Sequence, residues 1–110
     1  MTTITSALIT LGLTIAASVP AFADCHLPSP PNKVPDGQTA GQQEMMMAME
    51  TLKEYNADVE TYLQCLDFEH RQNHLSASEQ NRLHNDAVET LTRTANRFNE
   101  QVRTFKAKSG

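Results

Sequence analysis

The sequence predicts an all-α fold: an antiparallel two-helix hairpin with an N-terminal proline-rich strap, pairing with itself. Three observations carry this expectation. All five prolines lie at or before Pro35, and proline is excluded from helix interiors. Beyond Pro35, apolar residues recur at alternating spacings of four and three, the period of one buried helix face. Two capping signals and one interruption divide that stretch into two segments of similar length.

The first element is an address. Residues 1–23 read as a signal peptide, with a short polar start, an apolar run from Ala7 to Val19, and Ala21-Phe22-Ala23 supplying small residues for cleavage after Ala23. The start departs from the usual pattern in having no Lys or Arg. The apolar run, about 13 residues, is shorter than the about 20 needed to span a bilayer, so no stable membrane anchor is expected after cleavage. A bacterial lipoprotein's acylated cysteine normally follows a small residue, whereas Asp24 precedes Cys25 here. The expected location is periplasmic or secreted.

What remains is one small domain at most, and a chain this short needs a staple or a partner to hold a core. Cys25 and Cys65 are the only cysteines. An even count in an oxidising compartment favours one disulfide. All charged side chains lie beyond Ala23, and the net charge of −4 argues against nucleic acid or an anionic membrane as partner.

Residues 24–38 form the strap. Pro28, Pro30, Pro31 and Pro35 favour extended polyproline II geometry, and Val34-Pro35-Asp36-Gly37 is a turn signal. Residues 39–110 form the hairpin, with helices at about 39–73 and 77–106. For the first helix, Thr39 and Gln42 fit a capping box. Its apolar lane reads Met45, Met49, Leu52, Asn56, Val59, Leu63 and Leu66, flanked by Ala48, Tyr55 and Tyr62. Asn56 breaks that lane and is expected at its rim. Asn73 suits the left-handed conformation that closes many helices. Ser76 and Glu79 fit a second capping box. The second helix's lane reads His84, Val88, Leu91, Ala95, Phe98, Val102 and Phe105. Charge is divided between the helices: 39–73 holds seven acidic and two basic residues, 76–110 four and six. Opposite signs favour pairing, by tenths of a kcal/mol per exposed pair.

Arithmetic allows the strap to reach the cysteine on the first helix. Polyproline II from Cys25 to Thr39 covers about 43 Å, and helix from Thr39 to Cys65 about 39 Å. A strap that reverses near Pro35–Gly37 can therefore run back along the helix, over Tyr55 and Tyr62, to an intramolecular Cys25–Cys65 bond. The coiled-coil-like lanes leave more apolar surface than one hairpin contact covers, so the expected partner is a second copy, as a homodimer, or another protein.

At Val34-Pro35-Asp36-Gly37-x-Thr39-Ala40, Glu44-Met45, Lys53-x-Tyr55 and Tyr62-Leu63-x-Cys65, the chain resembles a family of small exported proteobacterial proteins with a PDG-x-T-A … E-M … K-x-Y … Y-L-x-C pattern. The resemblance covers roughly Val34 to Leu66. It implies export and a capped helix, and no functional residue follows from it. A looser likeness is to periplasmic helical-hairpin chaperones and metal-stress proteins, whose usual Leu-Thr-x-x-Gln signature is replaced by Leu75-Ser76-Ala77-Ser78-Glu79-Gln80.

Two clusters invite chemistry. His70 and His74 are four apart and could share a helix face toward a metal, with Glu69 near and His84 across the hairpin. At a polar helix end, surface histidines are the commoner outcome. Met45, Met46, Met47 and Met49 offer soft thioethers suited to Cu(I) or an adaptable apolar surface. Because consecutive residues cannot all face one lane, some of these methionines must be exposed or covered by a partner. There is no Gly-rich phosphate loop, Cys-x-x-Cys or haem-attachment motif. The expectation is therefore a non-enzymatic binding or structural protein without a cofactor. Soft-metal or histidine-metal binding in envelope stress, or a hairpin chaperone, are the alternatives.

Overall fold

A computed structural model describes residues 25–109, so the signal peptide expected at 1–23 lies outside the described residues. Two helices, α1 (Gln42–Arg71) and α2 (Ala77–Ser109), pack against each other as an antiparallel hairpin. The extended segment from Cys25 onward lies along them as a third layer, and Cys25 packs on the hairpin core.

α1 begins two residues later than the capping box at Thr39 implies. Asp36 claims that stretch for a turn. Its carbonyl accepts from Thr39 N–H (3.1 Å) and Ala40 N–H (2.8 Å), and its Oδ1 accepts from Gln38 N–H (2.9 Å). An aspartate that bonds its own following backbone competes with helix. Gly41 is left as the N-cap, with no side-chain cap.

The far end of α1 closes as Asn73 suggested. Asn73 has φ 61°. Its N–H donates to His70 O (3.0 Å), and His74 N–H donates to Glu69 O (2.9 Å). These two bonds form a Schellman motif, which satisfies carbonyls the helix leaves free. Three residues later Ser76 Oγ accepts from Glu79 N–H (3.1 Å), starting α2. The capping box is half made, because the Glu79 carboxylate turns to Arg82 instead of reaching back.

The seam is rotated from the lanes expected from sequence. On α1 the buried positions are Met45, Tyr55, Val59, Tyr62, Leu66 and Glu69, with Ala48 and Leu52 partly covered. The tyrosine lane, expected at the flank, is thus part of the core, while Asn56 is exposed and bonds Glu60 (3.4 Å). On α2 the buried line is Ala87, Thr94 and Phe98, with Leu83 and Leu91 packed beside it. His84 is exposed and Val88 stands 37% exposed. The strap is the cause of the rotation. It covers one flank of each helix and draws that flank into the core. Thr94 tolerates burial because its hydroxyl donates to Thr90 O (2.8 Å), so no polar group is stranded.

Candidate functional site

The strap and the groove beneath it are the most elaborated part of the molecule. Cys25 and Cys65 are bonded, with Cα atoms 5.7 Å apart and forty residues between them in sequence. From there the strap runs antiparallel to α1 and alongside α2. Its partly or fully buried positions are Cys25, Pro28, Pro31, Val34, Gly37 and Ala40, with Pro35 beside Val34. That is every third residue, the turn of a polyproline II helix. One edge of the strap therefore faces the hairpin throughout, and residues between those positions, such as His26, Leu27 and Lys33, are exposed.

At the other end the strap is fastened by fit and hydrogen bonds. Gly37 N–H donates to Gln101 Oε1 (2.8 Å). A Cβ at Gly37 would collide with the Gln101 carbonyl and lie 2.9 Å from Phe105 N, so only glycine allows the strap to sit this close to α2. Lys108 Nζ donates to Gln38 O (3.0 Å) and Ala40 O (3.2 Å), and its ammonium lies 5.2 Å from the Phe105 ring centroid. That placement adds a cation–π contact. The open end of the hairpin is closed by these contacts, as its other end is closed by the loop.

Between these anchors a groove of about 260 Å³ runs beside Leu27, Pro28 and Pro30, floored by Tyr55, Tyr62, Leu83 and Ala87 and edged by Arg82, Asp86 and Thr90. Burial pushes the Tyr55 phenol above its ordinary value. Burial does the same to Tyr62, where Arg82 opposes and Asp86 and Glu79 reinforce the shift. Charge above the groove is internally matched. The Arg82 hydrogen bond holds the Glu79 carboxyl below its usual range, and Glu79 in turn raises Arg82. Both phenols are held neutral on an apolar floor, so the groove offers packing surface.

The histidines are placed apart. α1 ends at Arg71, so His74 lies in the loop and the four-residue helical relation to His70 does not hold. His70 Nδ1 lies 2.9 Å from Leu75 O, and so carries its proton. His74 Nδ1 lies 2.8 Å from Oε2 of the buried Glu69. His84 is exposed along α2. Among the described residues no three His, Cys, Asp or Glu side chains are grouped to hold a metal ion. From sequence, Glu69 is expected only as a neighbour of the histidines. Its position one step beyond Leu66 in the 45-48-52-55-59-62-66-69 series was the signal for its burial.

The methionines split as consecutive residues must. Met45 is buried, while Met46, Met47 and Met49 are 60%, 65% and 42% exposed. Their exposed thioethers project from the first turns of α1. No protein-family model, no curated protein and no solved structure matches the chain.

Proposed function

We propose that this chain is an exported binding or structural protein of the periplasm or extracellular space, that it works without catalysis or cofactor, and that it engages a second copy of itself or another protein. One observation supports the reading above all: the chain's two cysteines are joined across the strap. A structural bridge of this kind persists in an oxidising compartment, and it leaves no free thiol among the described residues for nucleophilic chemistry. No helix among the described residues is long and apolar enough to cross a membrane. The bridge, the period-three strap and the closed ends make a rigid platform, and its exposed apolar side chains are suited to docking.

A second reading rests on Met46, Met47 and Met49, whose exposed thioethers suit Cu(I) or an unfolded client. Native mass spectrometry of protein taken from the periplasm of an expressing bacterium separates the readings. A metal-free species two hydrogens lighter per chain than the reduced sequence fits the binding platform. A stoichiometric copper or zinc adduct would replace it with metal handling. Suppression of client aggregation, lost on changing Met46 and Met47 to Ser, would replace it with a chaperone.

A further inference from the structure

The hairpin has a second long face, which the strap does not touch. Strap-side residues on each helix are Ala48, Tyr55 and Tyr62 on α1, and Asp86, Thr90 and Arg97 on α2. On the opposite side of the seam, α1 presents Met49, Asn56 and Leu63. α2 presents His84, Val88, Leu91, Ala95 and Val102. This open lane keeps the four-and-three spacing of a helix-packing surface. Its members are exposed or half-buried, with Met49 at 42% and Val88 at 37%. One hairpin contact and one strap account for two sides of each helix and leave this third side bare.

We propose that a second copy of this chain docks on that face, hairpin against hairpin with the loops at the same end, giving a four-helix body with a strap on each outer side. The inference rests on the binding-platform reading above and names its partner. Two observations point to a second copy. First, the face is large enough. Two adjacent helices some 40 Å long present roughly 800 Å², about the area per partner of a stable interface. Second, charge is complementary between the helices. α1 carries seven acidic and two basic residues, α2 four and six. Among the described residues every Lys or Arg ion pair lies within one helix, so the contrast is not used up across the intramolecular seam. A two-fold axis parallel to the helices sets each α1 on α2 of its partner, the helix of opposite net charge, with the Asp67 end beside Arg82 of the partner subunit.

Sedimentation equilibrium of the disulfide-bonded chain over a wide concentration range tests this. A reversible dimer is expected. Val88→Asp and Met49→Asp, at side chains partly exposed in the single chain, should each weaken it at least about 100-fold by stranding a carboxylate in the interface. Helical circular dichroism should be unchanged in both. Phe68→Asp, outside the lane, should leave the dimer intact. A bridged, fully helical monomer at every concentration overturns the docking alone and leaves the platform reading standing. So does a dimer lost on Phe68→Asp but indifferent to Val88→Asp, or a monomer that sediments with lipid vesicles. Free thiols with loss of helix would instead overturn the platform itself.

Discussion

The two long faces of the hairpin differ in what covers them. On the strap face, burial is achieved within the chain, by a polyproline edge, a disulfide and a glycine-tight turn. On the opposite face, the same helical periodicity leaves Met49, Val88 and Ala95 at least partly open. A two-helix hairpin buries too little surface to be secure alone. The chain has answered that with a covalent fastening on one side and a repeating apolar lane on the other. The difference teaches that an apolar lane in a short helical chain need not be its intramolecular seam.

The largest effect should come from releasing the strap face. Replacing Cys65 with Ser opens a loop of forty residues, and the chain-entropy relation assigns that closure about 4 kcal/mol. Urea unfolding should show a loss of that order, whereas Val88→Asp on the open face should change the unfolding of the single chain by less than about 0.5 kcal/mol. Next comes the fit at the strap's turn. Gly37→Ala forces the strap off α2 and should cost about 1–3 kcal/mol in the same assay. Gly41→Ala, with nothing within 4 Å of the added methyl, should lack that steric penalty.

His74→Ala should cost about 1–2 kcal/mol at neutral pH, because it leaves the buried Glu69 carboxylate without its partner. The effect should be read at the loop as faster amide exchange. Tyrosine ionisation gives the strap face an alkaline limit. Burial raises Tyr55 and Tyr62 above the ordinary 10.0. The unfolded chain therefore releases phenol protons first, so the stabilisation is complete below pH 10 and declines as pH rises beyond it. Thermal melts of Tyr62→Phe should show a weaker decline over that window than the parent. The smallest effect belongs to the uncapped start of α1. Gly41→Ser supplies the missing side-chain acceptor and should stabilise by a few tenths of a kcal/mol.

Much of this architecture was legible in the sequence. Ser76 and Asn73 marked the loop because their side chains have one good local use each, a cap and a left-handed closure. The strap's course followed from matching rises per residue, and the Cys25–Cys65 bond from matching reach. The seam was displaced by one lane because periodicity reports which sides of a helix are apolar, not which neighbour covers them. Both helices are apolar over an arc wide enough for two neighbours. The strap took the tyrosine side, and the spacing of Met49, Asn56 and Leu63 has the same period as a core lane. Thr39 failed as a cap because Asp36 reached the same backbone first. Of the candidate site, the period-three edge was present in Cys25, Pro28, Pro31, Val34, Gly37 and Ala40, but a search for periods of 2 and 3.6 passes over it. Gly37's contact with α2, and the pairing of His74 with Glu69, depend on tertiary placement and have no local signature.

The account turns on the strap being bonded within its own chain across one face of the hairpin. Chains grown in light and in heavy nitrogen can be mixed, reduced, refolded together in air and digested without reduction. Mass spectrometry of the peptide pair that holds Cys25 and Cys65 then decides the matter. The account predicts only light–light and heavy–heavy pairs. Mixed-label pairs in statistical proportion would contradict it, and would make the strap a link between chains.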